Sequence, residues 1–168
     1  VPAASDLIEG SLEVDPLSAA YAYGVLANEG VMAGRGNGNL SPIVLERVED
    51  RFGRSHSLPE RESRAILSQG LAFLINDVLL DPMPVDRNGS MASGLGLNQP
   101  TAWIPANSPA HGGVWTVAFS PVASLAVWIG NPDGSETAEL STANSTNPAA
   151  AAIMRYATSD QPNAIWQR

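Results

Sequence analysis

Two residue types are missing from this 168-residue chain: it has no cysteine and no lysine. Without cysteine there is no disulfide framework, no thiolate metal site and no cysteine nucleophile. Without lysine, all nine basic residues are arginines, at positions 35, 47, 51, 54, 61, 64, 87, 155 and 168. The chain therefore offers no amine as base, Schiff-base former or phosphate clamp. Charge is also scarce: charged residues make up 15%, and 17 acidic against 9 basic residues give a net charge of -8. A phosphate polyanion is repelled by that balance, so no nucleic acid partner is expected. Long apolar runs are absent too. Stretches such as 71–75 and 149–154 fall far short of the ~20 residues a membrane span needs, and no span is expected. No basic-then-apolar leader follows Val1, and the first residues read as the interior of a longer or processed chain.

What is present suffices for a core, with 44% hydrophobic residues in a chain of one-domain length. The first predicted helix covers residues 15–28. Asp15 caps it, Pro16 suits its first position and Gly30 closes it. Leu17, Ala20, Tyr21, Val25 and Asn28 recur at helical spacing and form its packed face. Residues 34–38 are rich in glycine and read as a loop. Residues 43–48 read as a strand and 54–58 as its return, a short hairpin turning through 49–53. Glu46, Glu49 and Asp50 alternate with Arg47, Arg51 and Arg54, the pattern of a solvated hairpin rather than of a carboxylate site. A second helix is predicted over 68–80, capped by Ser68, with Leu71, Leu74, Ile75, Val78 and Leu79 facing inward. Residues 82–113 show little periodicity and read as one long irregular loop flanking a site. Two strands follow, 114–119 and 125–129, close enough to be antiparallel. A last helix is predicted over 148–157, with Ala152, Ile153 and Tyr156 inward, before an extended tail.

Most catalytic signatures are absent. There is no Gly-x-Ser-x-Gly elbow, Walker lysine, zincin or EF-hand pattern. Two histidines, His56 and His111, are too few for a histidine-rich metal site, and no cofactor is implied. Asn144-Ser145-Thr146 has the form of a short sequon that arises by chance. The one local constellation is Ser108 with His111, spaced as nucleophile and base, followed by Gly112 and Gly113. Glycines there let backbone approach a ligand or another strand. No third residue orients His111, so a plain loop at a strand edge is the favoured reading.

The order of the motifs is more informative than any one of them. Gly10-Ser11-Leu12-Glu13-Val14-Asp15-Pro16-Leu17, with Ala20-Tyr21-Ala22 and Ala27-Asn28-Glu29-Gly30-Val31, resembles a segment of the penicillin-binding proteins. Residues 42–50 resemble the hairpin that follows there, and 65–79 its next helix. Trp115-Thr116-Val117-Ala118-Phe119-Ser120-Pro121 is similar to the family's Trp-x-Val-Gly-Tyr-Thr-Pro strand. Val127-Trp128-Ile129-Gly130-Asn131-Pro132-Asp133-Gly134 is similar to its Val-Trp-Val-Gly-Asn-x-Asp-Gly. Residues 149–154 resemble the closing helix more weakly. The resemblance spans 10 to about 160 and is nearest to the bifunctional, glycosyltransferase-linked class.

The resemblance implies a mixed α/β transpeptidase-like fold: an antiparallel sheet packed by the C-terminal helix, plus a small helical lobe. It divides the chain into a helical and hairpin part (10–81), a cleft loop (82–113), and a strand pair with closing helix (114–160), together the C-terminal part of one domain. It implies a place in peptidoglycan synthesis on the outer face of a bacterial membrane. The family's acyl-transfer site uses Ser-x-x-Lys, Ser-x-Asn and Lys-Thr-Gly. The first cannot occur without lysine. Ser-x-Asn occurs by letters at Ser145-Thr146-Asn147, after the strand pair and out of place. Counted from Pro105-Ala106, the lysine of the third motif falls at Pro109; counted back from Trp115, it falls at Ile104. Asn107, Ser108, His111, Gly112 and Gly113 stand in the stretch that replaces Lys-Thr-Gly. The chain is thus expected to lack transpeptidase activity. The expected partners are the upstream half of the same domain or a second copy, and a peptidoglycan stem peptide. A scaffold module and a Ser108/His111 hydrolase are the competing readings.

Overall fold

The computed structural model describes residues 14–36, 39–80, 95, 97, 99–108, 112–135, 137, 140–161 and 164–166, with Asn107 and Ser108 described by their backbone alone. Helix α1, Pro16–Ala27, begins where the sequence places it. The Asp15 carboxylate accepts hydrogen bonds from the Ser18 hydroxyl at 2.6 Å and the Ser18 N–H at 2.9 Å. Those bonds hold Asp15 below the ordinary aspartate value and satisfy one free donor of the first turn. Glu29 and Gly30 leave the helix with positive φ. A side chain at Gly30 would stand 2.5 Å from the Leu67 carbonyl oxygen, while the Gly30 carbonyl accepts from the N–H of Ile66 and Leu67. Leu17 and Asn28, assigned to the packed face, are exposed; Ala19 and Val25 carry the burial.

Strand β1, Val31–Arg35, pairs antiparallel with β4, Arg61–Ala65. Gly34 therefore lies in a strand and does not open a loop. It is glycine because the Tyr21 hydroxyl, which donates to the Ala33 carbonyl at 2.9 Å, and the Ser41 carbonyl occupy the space of its missing side chain. Sequence pattern does not reveal β4, since every residue of Arg-Glu-Ser-Arg-Ala is exposed and no alternation marks it. The hairpin exists but is shorter than expected: β2 is Val48–Glu49 and β3 is Ser55–His56. Its carboxylates pair with arginines as the charge pattern suggests. Arg47 meets Glu49 at 3.1 Å, Arg54 meets Asp50 at 2.7 Å, and Arg61 pairs with Glu46. These exposed pairs contribute little stability.

Helix α2, Gln69–Leu80, starts with the Leu71 N–H donating to the Ser68 hydroxyl at 3.3 Å. Its buried positions are Ala72 and Asn76, whereas Leu71, Leu74 and Val78, expected inward, are exposed. Asn76 explains the rotated face. Its amide donates to the Leu26 carbonyl at 3.0 Å, in the last turn of α1, where carbonyls lack helical partners.

The main sheet has three antiparallel strands in the order β5-β6-β7: Ala102–Ser108, Gly113–Phe119 and Ser124–Ile129. The first of these corrects the expectation of an irregular loop over 82–113. Pro105 sits in the middle of β5, which a sequence reading takes as a breaker. Proline is tolerated at an edge where its missing N–H faces away from the paired strand, and among the described residues β5 pairs with β6 alone.

Alternation along β6 builds two cores. Ala118 faces Leu95, Ala150, Ala151 and Met154, with Trp103, Leu125 and Val127 packed around them. Phe119 faces Ala102 and Trp166, with Tyr23, Leu26, Leu79 and Ile104 around them. Helix α3, Thr146–Ala157, covers the first face. Its inward residues are Ala150, Ala151 and Met154; Ala152, Ile153 and Tyr156, expected inward, face out, with Tyr156 85% exposed. The expectation fails because the alanine run leaves the helical phase undefined. The tail returns to the fold: the Trp166 indole N–H donates to the Ala27 carbonyl at 3.1 Å. Among the described residues, no helix is long and apolar enough to cross a membrane.

Candidate functional site at the β5–β6 end of the sheet

The residues that replace Lys-Thr-Gly lie where β5 ends and β6 begins. Asn107 and Ser108 are the last positions of β5, opposite Val114 and Gly113. His111, the other half of the Ser108/His111 pair, lies outside the described residues. Gly112, at φ 51, makes the turn, and its carbonyl accepts from the Thr137 hydroxyl at 2.6 Å.

Gly113 makes room for an indole. A side chain there would stand 2.5 Å from Trp128 Nε1 and 3.0 Å from the Ile129 carbonyl oxygen. Gly130 is under the same restriction, 2.6 Å from Trp128 Cζ2. The indole of Trp128 thus lies across the ends of β6 and β7. It meets Trp115, its register partner, with ring centroids 6.4 Å apart and tilted by 49°. A reading of Gly112-Gly113 as bare backbone overlooks this pair; the signal that would have found it is a tryptophan flanked by glycines on neighbouring strands. Gly113→Ala should push Trp128 aside and cost about 1–3 kcal/mol of stability. Urea titration followed by tryptophan emission checks it, and an unshifted midpoint would show that the indole relocates freely.

The electrostatics of this end are simple. Across residues 99–108 and 112–135 the only titratable side chain is Asp133. The Ser135 N–H donates to its carboxylate at 3.0 Å and the Ser135 hydroxyl at 2.7 Å, and these bonds lower its pKa. The group is an ionised acceptor, tied down locally. Of the two positions for the family's lysine, Pro109 lies outside the described residues. Ile104 is half-buried and packs on the Phe119 and Trp166 core. Ser145-Thr146-Asn147 is accounted for structurally, since Thr146 and Asn147 are buried against Thr116. Among the described residues no cluster of His, Asp or Glu could hold a metal ion. Among the described residues, this end of the sheet supplies shape, aromatic surface and backbone, but no base and no cation.

No family model matches the chain. Individual relatives do. Penicillin-binding protein 1A of Clostridium botulinum is 30% identical over 121 residues, 72% of this chain and 14% of the relative. Penicillin-binding protein 1A of Clostridium tetani is 30% identical over 119 residues, 70% of this chain and 14% of the relative. The chain thus spans about one seventh of the length of the curated relatives it matches. Among solved structures, penicillin-binding protein 1A from Haemophilus influenzae superposes with a TM-score of 0.75 at 17% identity, covering 99% of this chain and 29% of that one. The PonA1 protein from Mycobacterium tuberculosis, in complex with penicillin V, gives 0.63 at 16% identity, covering 99% and 43%. The mixed helix and antiparallel-sheet fold is that of these proteins, and the chain carries a penicillin-binding-protein transpeptidase-like domain.

Proposed function

We propose that this chain is one part of a longer transpeptidase-like domain of peptidoglycan synthesis, working on the outer face of the cytoplasmic membrane as a binding or scaffolding element without acyl transfer of its own. The observation that carries this reading is the absence of any cation along β5–β7, with Ile104 packed into the core at one of the two lysine positions. A transpeptidase of the family needs positive charge beside its serine to poise the nucleophile and hold the substrate carboxylate. Here the three strands carry no charged side chain, and the charge that follows β7, Asp133, is negative.

The strand edges support a binding role that is also restricted. Pro105 removes a backbone donor from the outer edge of β5, which weakens β-pairing with an extended stem peptide. The outer edge of β7, Ser-Leu-Ala-Val-Trp-Ile, has no proline or charge along it and pairs with β6 alone among the described residues. Such an edge is a template for a further strand, and the upstream half of the domain is its proposed occupant.

The test is intact mass after incubation with a fluorescent penicillin, on this chain and on the longest product of its gene. No adduct is expected on either. An adduct on the longer product alone would make this chain one wall of a working site and overturn the inactive reading. An adduct on this chain would overturn it too and make Ser108 the first residue to replace.

A further inference from the structure

The β2–β3 hairpin is an arm that burial does not hold in place. Every residue from 44 to 57 except Asp50 is exposed, and among the described residues the two strands pair only with each other. A lone hairpin is marginal in water, yet this one is braced from within. Asp50 Oδ1 accepts from the N–H of Phe52 at 2.8 Å and of Arg54 at 3.0 Å, while Oδ2 accepts from Arg54 Nε at 2.7 Å. Arg47 meets Glu49 at 3.1 Å. The arm therefore keeps its own shape. Its connections to the body do not: residues 42–45 and 57–60 belong to no helix or strand. Segments of that kind absorb the backbone change when a preformed element turns.

What fixes the arm's direction is polar and lies at its base. Arg35, the last residue of β1, is tied to the body through its backbone. Its N–H donates to the Ser41 carbonyl at 2.9 Å, its carbonyl accepts from the Ser41 N–H at 3.0 Å, and Arg61 of β4 is its register partner. Its side chain reaches both ends of the arm. Nη1 donates to the Pro59 carbonyl, which follows β3, and Nη2 to the Glu46 carbonyl, which precedes β2, at 3.5 Å. Arginine suits the task because its planar fork presents donors on separate nitrogens in a fixed geometry. No ion pair among the described residues takes up that fork. Arg35 Nε is buried without a partner, so the side chain is sunk against the arm's base rather than extended into water.

The other contact at the base is weaker. Arg61 pairs with the Glu46 carboxylate, the two side chains being 59% and 71% exposed, and an exposed pair contributes little. It also touches only the incoming end of the arm, whereas Arg35 holds both ends.

We propose that Arg35 is the latch of a movable arm. Closed, its guanidinium ties residues 46 and 59 to β1 and sets where the arm points. Open, residues 47–56 turn as one preformed unit about segments 42–45 and 57–60. Phe52, 67% exposed at the tip, travels with them, while the sheets stay intact.

The chain has no cysteine, so spin labels can be placed at Ser55→Cys on the arm and Ala152→Cys on α3, both exposed positions. Double electron–electron resonance on the full chain then reads the distance between them. One narrow distribution is expected when Arg35 is present. Arg35→Met should spread it over a broad range. Arg35→Lys, which keeps the charge and the reach but not the fork, should spread it too. Arg61→Met should leave it narrow. In every variant the amide chemical shifts of Phe52 and Arg54, which report their bonds to Asp50, should stay in place, as should those of residues 31–33 in β1. The arm would then have moved without melting. A distribution already broad with Arg35 present, one that stays narrow in both Arg35 variants, one that Arg61→Met spreads as far as Arg35→Met, or altered shifts at the tip or in β1 would each overturn the proposal.

Discussion

Replacing Phe119 with alanine should lower the free energy of unfolding by about 3–5 kcal/mol. Phe119 is fully buried at the end of the central strand. Its ring meets Tyr23 at 5.8 Å between centroids and the edge of Trp166 at 6.0 Å, nearly perpendicular. Its register partners are Ala102 on one side and Ser124 on the other, both too small to fill the vacated space. The walls are also fixed. Helix α1 is tied to the sheet by the Ser124 hydroxyl donating to the Ala20 carbonyl at 2.8 Å, and the tail by Trp166 donating to Ala27. A site that cannot collapse keeps its cavity, and the cost lies at the upper end of the usual range. For a chain of this size the thermal midpoint should fall by roughly 6–20 °C. Phe119→Leu should lose markedly less. A loss under about 1 kcal/mol in Phe119→Ala would mean that Tyr23 and Trp166 close the gap, so that this core tolerates repacking.

The resemblance at sequence level reached the fold class because its motifs coincide with the elements that the chain's own chemistry also marks. Asp15-Pro16 and Gly30 bracket α1 by capping and backbone conformation. Strands β6 and β7 announce themselves through β-branched and aromatic residues. What escaped was set by contacts remote in sequence. Strand β4 is polar at every position, and it is a strand because β1 supplies its partners. Strand β5 contains Pro105, whose acceptability depends on its lying at an edge. Helix α3 was given the wrong face because four successive alanines carry no phase. The inward side is chosen by Met154 and by Thr146 and Asn147, polar residues that hydrophobic spacing ignores. Helix α2 was turned for a similar reason, since buried Asn76 takes an inward position to serve a carbonyl 50 residues away in sequence. The candidate site was legible mainly as a subtraction. That lysine is missing follows from composition, whereas the indole over Gly113 appears only when β6 and β7 are laid side by side.

Thr116 carries the other large expected effect. It sits fully buried on the α3 side of β6, between Pro105 and Val127 in the register. Its hydroxyl lies 2.6 Å from Asn147 Oδ1 and 2.8 Å from Thr146 Oγ1. One hydroxyl has one proton. The Asn147 oxygen can only accept, so Thr116 donates to it, and Thr146 in turn donates to Thr116. Thr116→Val keeps the shape but strands a buried acceptor and a buried donor together. Each costs about 1–3 kcal/mol when left unmade, so a loss of about 2–6 kcal/mol is expected. Thr116→Ser keeps the hydroxyl and should lose about 1 kcal/mol for its methyl group. The pairing with Asn147 is isolated by a double-mutant cycle. Thr116→Val combined with Asn147→Leu should cost clearly less than the sum of the single changes, because both ends of one bond are removed together. Equal losses in Thr116→Val and Thr116→Ser, or strict additivity in the cycle, would show that the hydroxyl contributes nothing. The expected result gives Ser145-Thr146-Asn147 its physical meaning. Letters that imitate an acyl-transfer motif open a helix whose first turn is fastened to the middle of the sheet, level with Pro105. What Thr146 and Asn147 hold in place is the middle of a sheet whose three strands carry no lysine or arginine.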